Sequence, residues 1–190
     1  MTLSAWIALI VLFMQLPIPL YWFVLHPAKD FWRGRGNLAY VAAVSLSWLP
    51  VSILLVVYHG ELIRSGSPAP WQFMAGVVLI VLELWMFLRV KRDLGGARLI
   101  GATEISGGGQ IEVAGIYARM RHPRYMGSFL ALVGACLIAG TRMTCIIVAI
   151  WTILTAAAIG MEERELSTRF GNSYQEYCRR VPRFVPRPKT

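Results

Sequence analysis

The sequence is poor in charge: Asp, Glu, Lys and Arg make up 15% of its 190 residues, against about 25% in an average soluble domain. That shortage excludes an ordinary water-soluble globule of this length. No basic stretch precedes the first apolar run and no small-residue cleavage site follows it, so the leading segment reads as a retained helix rather than a signal peptide. Cysteine is scarce: Cys136 and Cys145 fall inside apolar runs and Cys178 lies in the tail, none at metal-ligand spacing. Neither a disulfide nor a zinc or other metal site is expected. There is no internal repeat and no linker long or polar enough to divide the chain, so residues 1–190 are expected to form a single domain.

Apolar residues fill the space, at 56% of the chain and a mean hydropathy of +0.55. Long uncharged runs predict an all-α membrane protein with about five transmembrane helices, at about 3–25, 38–58, 71–90, 125–140 and 143–161. The fourth is short for a bilayer core of about 30 Å and must borrow flanking residues or sit in a thin, protein-lined region. Pro17 and Pro19 should kink the first.

Alternate loops differ sharply in charge. Of the 19 basic residues only Arg64 and Arg142 fall on one side of the predicted spans. Positive loops stay inside, so the N-terminus is expected outside and the tail in the cytoplasm of an inner membrane or its equivalent. The basic side suits anionic lipid headgroups. Nucleic acid is an alternative partner for such charge, but no recognition module accompanies it, and no obligate protein partner is evident.

Two polar segments, 90–125 and 161–187, lie on the basic side. The first holds Gly95, Gly96, Gly101 and the run Gly107–Gly109, which reads as flexible loop because the strand-turn-helix context of a phosphate loop is missing. A tight turn at 140–144 predicts an antiparallel hairpin of the last two spans, bringing "RHPR" at the start of one against "EERE" at the end of the other. Beyond it, Leu166, Phe170, Tyr174 and Tyr177 recur at helical spacing, predicting a C-terminal amphipathic helix interrupted near Gly171 and packed on the bundle.

Within that juxtaposition several residues stand out. Glu162 and Glu163 sit at a helix C-terminus, where carboxylates oppose the helix dipole, so cations should lie close. Arg119, Arg121 and Arg124 would supply them either as a plain interfacial ion-pair network or as one side of a site for a ligand bearing both charges. His122, held extended by Pro123 at a sharp helix start, aims its ring and nearby N–H groups at a point suited to a carboxylate. Glu83 lies mid-span, where a carboxyl costs about 2.5–3.5 kcal/mol unless it faces the bundle or water. It is either a neutral hydrogen-bonded group or part of a substrate-lining wall.

The stretches "GIYARMRHPRYMG" and "EERELSTRFGNSYQEYCRRVPRFVP" resemble the integral-membrane methyltransferase family that includes isoprenylcysteine carboxyl methyltransferases and phospholipid N-methyltransferases. The resemblance runs from about Arg89 to Pro186. It implies S-adenosylmethionine bound near the cytoplasmic face, beneath a path that admits a lipophilic acceptor from the bilayer. Carried onto matching positions, it assigns cofactor contacts to Gln110, Ile111, Glu112, Tyr117, His122, Pro123, Arg124, Tyr125 and Glu162. Arg121 and Glu163 become supporting partners, and Glu83, Arg121 and Glu163 are the weaker catalytic candidates, with Glu83, Glu112 or a water serving an amine acceptor that must lose a proton. One departure stands at Ala158, where the isoprenylcysteine branch carries an arginine, so a phospholipid amine, another lipid or a small apolar thiol or amine is as well suited an acceptor as a prenylcysteine carboxylate. A nicotinamide-dependent membrane reductase of the sterol-reductase type and a non-enzymatic lipid-binding protein are the alternatives.

Overall fold

The computed structural model describes residues 2–25, 29–32, 35, 37–64, 66–96 and 110–185. The glycine run Gly107–Gly109, Gly101 and the last expected tail residues, 186–187, lie outside them. The described residues form a helical bundle: α1 (Leu3–Gln15), α2 (Pro17–Leu25), α3 (Lys29–Trp32), α4 (Asn37–Leu62), α5 (Pro70–Leu94), a 3-10 turn (Gly115–Ala118), α6 (Pro123–Ala139), α7 (Arg142–Phe170) and α8 (Asn172–Arg180). Four stretches, Leu3–Leu25, Val41–Leu62, Pro70–Leu94 and Arg142–Phe170, are long and apolar enough to cross a membrane, and α6 is a shorter apolar helix. The protein is an all-α integral membrane protein.

Local chemistry accounts for the breaks. The first span divides at Leu16, directly before Pro17, as a proline without an N–H requires. Pro70 opens α5, and the Gln72 side chain accepts the N–H of Ala69 at 3.1 Å. Gly171, with φ of 53°, separates α7 from α8 where the sequence predicts an interruption.

The short helix α6 is the centre of the bundle. It packs most extensively on α5, then on α1 and α7, and Ser128, Leu132, Ala135 and Ala139 on it are wholly enclosed. With 17 residues it is about 25 Å long, and protein rather than lipid surrounds most of it. The outer helices instead expose apolar side chains such as Val41, Ile53 and Val56 on α4 and Met74, Val81 and Leu88 on α5. In water such a surface would be a liability; facing acyl chains it needs no other explanation.

Small residues set the α5–α6 distance. A Cβ built on Gly134 would stand 2.7 Å from the carbonyl oxygen of Gly76, and one on Gly76 2.8 Å from that of Gly134, the close backbone approach that small residues allow between membrane helices. Gly134→Val is therefore expected to lower stability by about 2 kcal/mol or more through overpacking. Gly160→Ala, whose new Cβ meets nothing within 4 Å, should leave the thermal midpoint in detergent unchanged or slightly higher.

The turn between α6 and α7 is tied to the end of α4. The hydroxyls of Thr141 and Thr144 both donate to the carbonyl of Leu62, and the N–H of Arg64 donates to that of Ala139. Here one expectation is corrected: Cys136 and Cys145 are joined by a disulfide, with Cα atoms 5.6 Å apart. Each cysteine lies about one turn from Gly140 on facing antiparallel helices, so the tight turn makes them opposite neighbours. Reading the spans one at a time concealed that pairing.

Candidate functional site

At the opposite end of the hairpin the charged residues meet. Pro123 starts α6 and His122 caps it, with φ −121° and ψ 56°. Helix α7 runs 29 residues, well beyond the 143–161 apolar span expected from the sequence, and carries Glu162 and Glu163 past the end of that span. The tail then returns. The N–H groups of Arg121 and His122 donate to the carbonyls of Pro182 and Arg183 at 2.9 and 3.0 Å. These are N–H groups that the sequence reading aims at a ligand carboxylate; the tail has already satisfied them.

Glu163 is the hub. Its Oε1 accepts from Arg121 Nη2 at 2.9 Å and from His122 Nε2 at 3.0 Å, and Arg183 grips both carboxylate oxygens. Arg121 also donates through Nη1 to the carbonyls of Cys178 and Val181 at 3.0 and 3.1 Å. One guanidinium thus staples the end of α6, α7 and the end of α8 together. Burial pushes the Glu163 carboxyl up, but hydrogen bonds from His122 and Arg183 and the charges of His122 and Arg121 prevail and hold it at about 2. Between its ordinary value of 4.5 and about 2 the unfolded chain binds a proton there that the folded chain does not. The stabilisation is therefore complete above 4.5 and lost as pH falls towards 2. Thermal midpoints in detergent should decline over that window in the native protein, and Glu163→Gln should flatten the decline.

Glu162, the adjacent residue, differs completely. Its Oε2 accepts from the Tyr125 hydroxyl at 3.0 Å, and among the described residues no cation pairs with it. Tyr125 is buried with Ile18 and Ile159, against Trp22 and Phe184, and its ring lies 5.8 Å from that of His122.

The remaining assigned residues, Gln110, Ile111, Glu112 and Tyr117, lie on the segment that leads into the 3-10 turn and in the turn itself. Asp93, just past the membrane end of α5, accepts the N–H of Ile116 at 2.8 Å and fixes the 3-10 turn; that N–H and the Arg92 guanidinium hold its carboxyl below the usual range. Gly115, with φ of +57°, lies so close to the Asp93 carboxylate that a Cβ has no room. The turn presents Tyr117, whose carbonyl accepts the Tyr177 hydroxyl at 2.7 Å. Burial raises the Tyr177 phenol above its ordinary range. Ile111 packs on Tyr174 and Tyr177, Glu112 accepts the N–H of Ala114 at 3.1 Å, and Gln110 is exposed. Arg119 is exposed on the same side.

Arg124 goes elsewhere. Its Nη1 donates to Glu83 at 3.1 Å, to Ser128 at 2.9 Å and, more weakly, to Gln15 at 3.4 Å, while Gln15 Nε2 donates to Glu83 at 3.3 Å. This network joins α1, α5 and α6 and supplies the partner that a mid-span carboxylate needs. Glu83 and Arg124 are thus brought to each other rather than to Glu162. The sequence reading missed two participants. Gln15 is the one amide in an otherwise apolar first span, a signal available without the structure. Arg183 sits among several tail arginines, with nothing local to single it out.

The membrane-crossing bundle thus carries, at one end of the α6–α7 hairpin, an ion cluster on Glu163 beside a carboxylate, Glu162, that has no cationic partner among the described residues. The sequence model described as phospholipid methyltransferase matches residues 71–173, and the chain belongs to that family. It is 34% identical over 74 residues to a protein-S-isoprenylcysteine O-methyltransferase of Schizosaccharomyces pombe, an alignment covering 38% of this chain and 31% of that one. It is 38% identical over 74 residues to the Arabidopsis thaliana protein-S-isoprenylcysteine O-methyltransferase B, covering 38% and 37%. Identity to methanethiol S-methyltransferase 1 of Bradyrhizobium diazoefficiens is 32% over 71 residues, covering 37% and 24%. The matched region thus spans well under half the length of each relative. No solved structure matches the chain.

Proposed function

We propose that this protein transfers a methyl group from S-adenosylmethionine to a lipophilic acceptor that approaches through the bilayer. The observation that carries the reading is the contrast between the two glutamates. Glu163 is bound by two guanidinium groups and an imidazole, whereas Glu162, one residue away, has no cation among the described residues. A carboxylate left open at the edge of so basic a surface fits an ammonium group from a ligand. The methionine end of S-adenosylmethionine carries one.

Glu162 would hold that ammonium, with Tyr125 fixing the carboxylate and His122 and Pro123 bounding it. Gln110, Ile111, Glu112 and Tyr117 would line the cofactor from the 110–117 segment. Arg124, bonded to Glu83, supports the start of α6 from behind. When bound, S-adenosylmethionine would supply an electrophilic methyl group for the acceptor's lone pair, with the neutral thioether S-adenosylhomocysteine as the leaving group. The protein's contribution is alignment and the exclusion of water, worth several kcal/mol by proximity alone. The basic loops at this end of the bundle support a cytoplasmic location for it. The relatives' names cover both oxygen and sulfur acceptors, so kinship leaves the acceptor atom open.

Calorimetry of the detergent-solubilised protein should show S-adenosylhomocysteine binding and no NADPH binding. Labelled methyl from S-adenosylmethionine should appear in a product when total membrane lipid extract is supplied. NADPH binding instead would favour a reductase, and silence with both ligands would sink the enzymatic reading.

A further inference from the structure

The buried face of α7 is a single stripe: Thr144, Val148, Trp151, Thr155, Ala158 and Ile159, ending one turn later near Glu162. Between Trp151 and Glu162 that stripe has one side-chain heteroatom, the hydroxyl of Thr155. It is 5% exposed and, among the described residues, has no hydrogen-bond partner.

This is an exception within the molecule. Ser47, Ser52, Ser128, Thr152 and Thr168 each donate to the carbonyl four residues back in their own helix, the usual refuge of a hydroxyl in an apolar helix. Thr155 does not take it. Its neighbours along the stripe locate what it faces. Trp151 donates through Nε1 to the carbonyl of Gln15 at 3.1 Å, and Ile159 packs with Ile18 and Tyr125. The hydroxyl therefore lies on the face turned to the α1–α2 break, two turns into the bilayer from Glu162.

We infer that Thr155 reads the reactive head of the acceptor, and that this head is a neutral hydrogen-bonding group, a thiol or an uncharged amine on an apolar body, rather than a carboxylate. The inference rests on the proposed methyl transfer and names its substrate class. A hydroxyl both donates and accepts, so it satisfies an S–H or N–H head with one contact. A carboxylate at the same place would leave water for one neutral partner: the stripe offers no cation, Ala158 being the next residue towards Glu162, and the Arg124 guanidinium at Gln15 is already paired with Glu83.

The test uses Thr155→Val, which keeps the shape and removes the hydroxyl, beside Thr155→Ser, which keeps the hydroxyl. Thermal midpoints are measured in detergent without any methyl donor, in the presence of 1-decanethiol, 4-octylaniline (an amine that is uncharged at neutral pH) or decanoate. In the native protein decanethiol or octylaniline should raise the midpoint by about 5 °C and decanoate should not. Thr155→Val should lose that shift while its midpoint without additive stays equal or rises, and Thr155→Ser should keep it. Any of three results overturns the inference: no shift with either neutral-head probe, a shift that survives in Thr155→Val, or a ligand-free loss of stability in Thr155→Val, which would mark a structural water as the hydroxyl's partner. Calorimetry with S-adenosylhomocysteine on the same samples separates the two ideas. Equal binding by native and Thr155→Val protein leaves the methyl-transfer reading intact whatever the probes do. No binding by either removes that reading, while a hydroxyl-dependent shift still identifies the head-binding residue.

Discussion

Glu163→Ala should lower stability by about 3 kcal/mol, the cost of leaving buried charges without their counter-ion, and drop the thermal midpoint by about 10 °C. Two guanidinium groups and an imidazole converge on this carboxylate, and Arg121 is only 10% exposed at its side chain. Without Glu163 the guanidinium keeps the carbonyls of Cys178 and Val181 but has no charge to balance it. The tail should loosen first, because Arg183 holds the returning strand through Glu163 as well as through the backbone. Limited proteolysis should cut after α8 in the variant before the bundle unfolds. Glu163→Asp, a shorter carboxylate, should recover part of the loss. If Glu163→Ala unfolds at the native midpoint, the cluster is an exposed ion network of little energetic weight.

Glu162→Gln is the complementary result: cofactor affinity should fall at least tenfold, about 1.4 kcal/mol, with the ligand-free midpoint unchanged. The reason lies in what glutamine preserves. Its carbonyl still accepts the Tyr125 hydroxyl, the one described bond of Glu162, so the fold loses nothing. What disappears is the charge available to an ammonium. Calorimetry with S-adenosylhomocysteine measures it directly, and His122→Ala should weaken the same binding tenfold or more. Unchanged affinity in both variants would remove the proposed site. The two glutamates, adjacent and chemically alike, thus separate into one residue whose loss is read in stability and one whose loss is read in binding.

Much of this arrangement is visible in the sequence, because it follows from local chemistry. Apolar run lengths locate the spans, the prolines at 17 and 19 locate the first break, and Gly171 locates the last. The tight turn at 140–144 forces "RHPR" against "EERE", so the meeting of these two charged stretches is foreseeable from the hairpin alone, whereas the sequence gives the His122 ring to a ligand carboxylate and the structure gives it to Glu163. What is not visible depends on which way a residue faces across several helices. Arg124 is adjacent to Tyr125, which bonds Glu162, yet serves Glu83 and Gln15, because one step along α6 rotates a side chain about 100° from the hairpin partner to the core. Arg183 and the backbone pairing of Pro182 and Arg183 depend on a tail that doubles back, which no periodicity encodes. The disulfide has the same origin: neither cysteine is informative until the turn sets them side by side.

That disulfide and the site sit at opposite ends of one pair of helices, and the two ends are held differently. At the turn, α6 and α7 are joined by the chain, by a covalent bond and by two threonine hydroxyls on a shared carbonyl. At the far end the bonds described between them are made by side chains, Tyr125 to Glu162 and Arg121 and His122 to Glu163. The two helices are therefore pinned covalently at one end only, and a change in the angle between them about Gly140 would displace Pro123, the far end of α6, more than any residue beside the disulfide.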